Sequence, residues 1–130
     1  AAYGYKPETP LPLSVFPKST ATATIYIGDD LKNDQPELSV LFLRSDRTAH
    51  FDLFVNDIKV ELQKPEYVEM LDRTRNMKND EKVYAFYLPV SCLKQGDNVV
   101  RLHSLQPGIF QIERLEVALK YGDVKTNGFF

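Results

Sequence analysis

The sequence predicts an all-β protein built as an antiparallel β-sandwich. Three observations carry that expectation. Apolar side chains recur at every second residue in runs such as FDLFV and LEVALK. Turn-forming pairs and glycines break the chain between those runs, and helical spacing is confined to one stretch, residues 63–82.

The elements follow in order. Residues 1–19 hold four of the eight prolines (Pro7, Pro10, Pro12 and Pro17). Proline fixes φ and donates no ladder hydrogen bond, so this segment reads as an extended lead-in rather than a strand interior. Residues 20–130 then read as a single sandwich domain. TATATIYI, from Thr20 to Ile27, has the β-branched composition of a first strand, and GDDLKNDQP ends it. Glu37 to Arg44 is apolar at nearly every position, as a strand covered on both faces would be. SDRT turns the chain.

FDLFVNDIKVELQ reads as a hairpin. Phe51, Leu53 and Val55 share one face by period two, with His50, Asp52 and Phe54 on the other. Asn56-Asp57 both tolerate positive φ and suit a two-residue connection. Ile58, Val60 and Leu62 continue the apolar face on the way back.

Residues 63–82 change pattern. Pro65, Glu66 and Glu69 resemble a helix start, and Tyr67, Met70, Leu71 and Thr74 recur at helical spacing, so a short amphipathic turn or at most one short helix is expected there. Strands resume at Val83–Val90. SCLKQGDN turns on Gly96, Asn98 to Leu105 runs on, and Gln106-Pro107-Gly108 punctuates it. In IFQIERLEVALKY the alternation is interrupted near Glu113-Arg114, which predicts a bulge.

Composition bounds the function. A chain of 130 residues is one domain by length, and 43% hydrophobic residues suffice for a core. Sixteen Lys+Arg against eighteen Asp+Glu give a net charge of −2. No basic footprint for a phosphate backbone exists, so nucleic acid is not an expected partner. No apolar run approaches the roughly 20 residues that span a bilayer. The first residues lack a basic region followed by an apolar one, so the chain reads as a mature product or a domain of something longer. Cys92 is the single cysteine, so no intrachain disulfide is expected. Its apolar neighbours make it a small buried hydrophobe rather than a nucleophile.

Three stretches resemble a known family. FDLFVNDIKVEL is similar to a strand ending in V-N-G that returns after a turn. AFYLPVSCLKQGDNVVRLHSL resembles a P-x-x-x-L-K-x-G-x-N pattern with alternating apolar residues after it, matched by Pro89, Leu93, Lys94, Gly96, Asn98, Val100 and Leu102. IFQIERLEVALKY is similar to the closing strand. In this order they resemble galactose-binding-domain-like jelly rolls, modules attached to glycoside hydrolases and polysaccharide lyases, including the C-terminal domain of rhamnogalacturonan lyases. The likeness covers residues 20–120. Two departures are Asp57 where the family has glycine and the long 63–82 excursion.

The resemblance implies a jelly roll and a non-catalytic accessory module of a carbohydrate-active enzyme. It implies a polysaccharide or glycan partner, an adjacent catalytic domain in the same chain, and an extracytoplasmic address: secreted, periplasmic or at the cell surface. Modules of this family often hold a structural calcium. The GDDLKND loop offers Asp29, Asp30 and Asp34 as hard oxygen donors for such an ion, or is a plain solvated turn.

Sugars present apolar ring faces edged by hydroxyls, so their sites pair an aromatic platform with polar groups. Without tryptophan, the platform candidates are Tyr67, Tyr84 and Tyr87. The polar candidates are Arg44, Arg47 and His50 around RSDRTAH, and Arg73, Arg75 and Asn76 on the excursion. Arginine can grip a carboxylate bidentately. His103 reads as a half-buried strand residue. No catalytic residue is expected: Asp46 with Asp52, and Glu113 with Glu116, read as solvated acids rather than a glycosidase pair. G-x-S-x-G, H-E-x-x-H and Gly-rich phosphate motifs are absent. Two function classes follow, a sugar-recognising module and a structural or protein-interaction domain that braces a neighbour.

Overall fold

The computed structural model describes residues 3–61 and 82–121. In chain order the elements are β1 (Tyr3–Tyr5), β2 (Leu13–Val15), β3 (Thr20–Ile27), α1 (Leu31–Asp34), β4 (Leu38–Ser45), β5 (Phe51–Val55), β6 (Ile58–Val60) and β7 (Lys82–Leu88). A 3₁₀ turn at Val90–Cys92, β8 (Gly96–Ser104) and β9 (Phe110–Lys120) complete them. They form an antiparallel β-sandwich. A five-stranded sheet runs β1-β9-β4-β7, with β2 also on β9, and faces a four-stranded sheet, β3-β8-β5-β6.

Period-two alternation puts one face of each strand between the sheets. Leu53 and Val55 on β5, Val100 and Leu102 on β8, Leu41 and Leu43 on β4, and Leu115, Val117 and Leu119 on β9 make the core. Phe51 lies at its border, its ring 5.7 Å from Phe110 in a stacked arrangement and 5.5 Å from Tyr84 edge-on. The alternate residues of β4 are buried too: Val40 and Phe42 join Ala85 and Ala118 in a second cluster on the opposite face of the sheet. This explains why β4 reads as a continuous apolar run rather than an alternating one.

The hairpin closes as expected, with Asn56 at φ 49° and Asp57 at φ 68°. Asp57 therefore occupies the left-handed conformation usually left to glycine. Ile58 departs from its expected burial and is 46% exposed, because it lies at the open end of an edge strand. Gly96 adopts φ +105°, which only glycine takes without strain. Asn98 is buried behind it: its Oδ1 accepts from Lys94 N at 2.9 Å and Asn56 Nδ2 at 2.8 Å, and its Nδ2 donates to Lys94 O at 2.8 Å. The bulge is present too, since Arg44 pairs with Arg114 but Ser45 pairs with Ile112.

Two expectations need amendment. The lead-in supplies strands: Tyr3–Tyr5 pairs with Val117–Leu119, and Leu13–Val15 pairs with Phe110–Ile112. Its prolines lie outside both runs, so the rule against proline in ladders holds while the segment as a whole joins the sheet. A helical turn forms where a loop was expected, at Leu31–Asp34. Asp30 caps it, its Oδ1 accepting from Asn33 N at 3.3 Å, and Leu31 is buried beneath. The helix expected in 63–82 falls almost wholly on residues outside the described ones.

Candidate functional site

The expected site residues lie in three places. His50 and Tyr84 meet at a cleft of about 190 Å³ near the open β6/β7 edge of the sandwich. Its floor is aromatic, formed by Phe51, Tyr84 and Phe86, and Leu105 and Val60 form walls. The rim is polar, with His50, Asp52, Lys59 and Glu61. Arg44 instead lines a second groove across the five-stranded sheet, and Arg47 pairs with Asp46 at 2.9 Å. Tyr67, Arg73, Arg75 and Asn76 lie outside the described residues.

Loop hydrogen bonds fix the cleft. His50 N donates to Gln106 Oε1 at 2.8 Å, and Leu105 N donates to His50 O at 2.9 Å. These bonds stitch the β4–β5 loop to the β8–β9 loop and set His50 beside Leu105, which is 58% exposed. The Tyr84 hydroxyl accepts from Ala49 N at 2.9 Å, so this residue offers a ligand its ring rather than its oxygen. Lys59 Nζ lies 3.5 Å from Asp52 Oδ1 at the rim. Lys59, Leu105 and Phe86 escaped the sequence reading. Only the strand register reveals them, since Lys59 pairs with Phe54 beside the His50-Asp52 face.

The loop acids are largely engaged by the fold. Asp29 accepts from the hydroxyls of Tyr5 and Tyr121, one on each carboxylate oxygen. Burial, together with that bond to Asp29, pushes the Tyr121 hydroxyl well above the usual tyrosine range. Asp30 caps α1 and also accepts from Asn33 Nδ2 at 2.6 Å, while Asp34 is exposed. Among the described residues no three His, Cys, Asp or Glu side chains converge as a metal centre. Cys92 is 3% exposed, and burial pushes its thiol up, away from the thiolate a nucleophile requires.

Asp46 is a staple. Its Oδ1 accepts from Gln111 N at 2.8 Å, and its own N–H donates to Gln111 O at 3.0 Å. Partial burial alone would raise its pKa. The Arg47 side chain and the Gln111 N–H outweigh that and hold the carboxyl below its ordinary value. A carboxylate with a depressed folded-state pKa stabilises the fold above its unfolded value of about 3.9, and that contribution is lost as pH falls through the lowered one. Asp46→Asn is therefore expected to flatten the acid limb of the melting temperature below about pH 4. An unchanged acid slope in that variant would remove the assignment.

No protein-family model matches the chain, and a search of curated proteins returns no match. Solved structures do match. A family 86 glycoside hydrolase in complex with neoagarooctaose superposes with a TM-score of 0.64 at 16% identity, covering 91% of this chain and 18% of that one. A β-porphyranase of family 86 from the human gut bacterium Bacteroides plebeius gives a TM-score of 0.66 at 14% identity, covering 95% of this chain and 21% of that one. The shared property is the fold. The chain thus corresponds to about a fifth of each of those proteins. Among the described residues no helix is long and apolar enough to cross a membrane.

Proposed function

We propose that this chain is a non-catalytic, sugar-recognising accessory module of a carbohydrate-active enzyme, exported from the cytoplasm and binding a glycan in the His50–Tyr84 cleft. The galactose-binding jelly-roll resemblance, the fold shared with a fifth of two agar- or porphyran-related hydrolases, and the cleft all support this reading. The observation that carries it is the aromatic floor under a polar rim. A sugar ring lays its C–H face on Phe51 and Tyr84 while its hydroxyls reach Lys59, Asp52 and His50. At 190 Å³ the cleft is smaller than the roughly 300–1,000 Å³ of drug-sized pockets, which suits a single ring of a longer chain.

Affinity electrophoresis through gels containing agarose, porphyran or pectic polysaccharide, with and without EDTA, tests this. Retardation by at least one galactan is expected. Lys59→Ala and His50→Ala are each expected to weaken it about 3- to 10-fold, the worth of one or two hydrogen bonds. Loss of retardation in EDTA would show that binding depends on a divalent cation. Mobility unchanged by every polysaccharide would leave the bracing role, a domain packed on a catalytic neighbour.

A further inference from the structure

A larger groove lies where the lead-in leaves its sheet. β1 pairs with 117–119 and β2 with 110–112, so β9 residues 113–116 face an arch formed by Lys6–Leu11. The arch is tied to the other sheet: Pro7 bridges Ile25, Glu8 N donates to Thr24 O at 2.9 Å, and Thr24 N donates to Thr9 Oγ1 at 3.1 Å. Between arch and sheet lies a groove of about 500 Å³, within the roughly 300–1,000 Å³ of ligand sites.

Its floor is charged and partly buried. Glu116 is 3% exposed, and its Oε2 accepts from Arg114 Nε at 3.2 Å. Arg44 lies beside Arg114 in register. Glu113 stands at the bulge, and its Oε1 is buried yet accepts no hydrogen bond among the described residues. A buried carboxylate oxygen without a donor is costly, so the position suits a ligand that brings one.

The charges select the ligand class. Arg44, Arg114 and Lys6 balance Glu113, Glu116 and Glu8. A polyanion gains no net attraction and sets its own oxygens against Glu113, while a polycation meets the two guanidiniums. A neutral polyol supplies hydroxyl donors to the carboxylates and hydroxyl acceptors to the guanidiniums. We infer that the Glu113–Arg114–Glu116 groove is a second saccharide site, taking a neutral, unsulfated sugar whose hydroxyl donates to Glu113 Oε1. This rests on the glycan-binding reading above. It places a second contact on a different face from the cleft, so that one module holds two points of a glycan.

The test is an amide-resolved NMR titration of the 130-residue chain with a neutral galacto-oligosaccharide and with its sulfate ester. Amides of 113–116 and of Lys6, Glu8, Thr9 and Leu11 are expected to shift with the neutral sugar and to respond at least 10-fold more weakly to the sulfated one. Glu113→Ala is expected to abolish that set, leave the amides of 49–52 and 59–61 responding, and not lower the melting temperature. Shifts confined to 49–52 and 59–61 would overturn the second site and keep the cleft. Shifts confined to the groove would do the reverse, and no shift with any sugar would overturn both. A Glu113→Ala chain that melts several degrees lower and binds unchanged would assign this side chain to the fold and overturn the site.

Discussion

Phe110→Ala is expected to destabilise the domain by about 3–5 kcal/mol, the largest effect of any single truncation proposed for it. Phe110 has no exposed surface and stacks on Phe51 in the layer between the sheets. Removing its ring takes away apolar burial and leaves a void. The void closes poorly because β9, which carries the ring, is held by β1, β2 and β4 at once. Urea unfolding should show a lower midpoint with an unchanged slope, since the surface exposed on unfolding hardly alters. A loss below about 2 kcal/mol would mean that the neighbouring side chains collapse into the gap, and that the rigidity attributed to β9 is overstated.

Asn98→Ala is expected to cost about 2–4 kcal/mol, although it removes no apolar surface. The side chain is 1% exposed and joins the β7–β8 turn to the β5–β6 hairpin. Truncation strands the Lys94 N–H, and Asn56 Nδ2 keeps only its bond to Cys92 O at 2.8 Å. Asn98→Asp is the sharper variant. It keeps the shape but turns an oxygen toward the Lys94, Gly96 and Ile25 carbonyls. At neutral pH it is expected to be at least as damaging as alanine. An aspartate variant as stable as the wild type, measured by the same unfolding midpoint, would show that the amide donor is dispensable.

The legible parts of this fold are those decided within a few residues. Alternation fixed the faces of β5, β8 and β9, the Asn56-Asp57 pair announced its turn, and the break in period at Glu113-Arg114 announced the bulge. What stayed hidden depends on partners far along the chain. Tyr3–Tyr5 is too short to carry a period, and it becomes a strand because the edge of β9 receives it. Nothing local to Asp29 shows that tyrosines 24 and 92 positions away donate to its oxygens. His50 and Tyr84 are 34 residues apart with no local link, and the pairing of β5 with β8 and β4 with β7 brings them to one cleft. Arg44, six residues before His50, went elsewhere because β4 turns it to the opposite face of its sheet.

The pairing of β1 with β9 also sets how the domain would answer a mechanical load. Tyr3 lies across from Leu119 and Tyr5 across from Val117, so a pull applied through residue 3 and residue 119 draws the two strands apart from the same end. Each ladder bond then bears the tension alone and in turn, whereas strands dragged lengthwise past each other would share it. The domain should yield at its margin under small forces, with the inner layers intact until that edge has peeled.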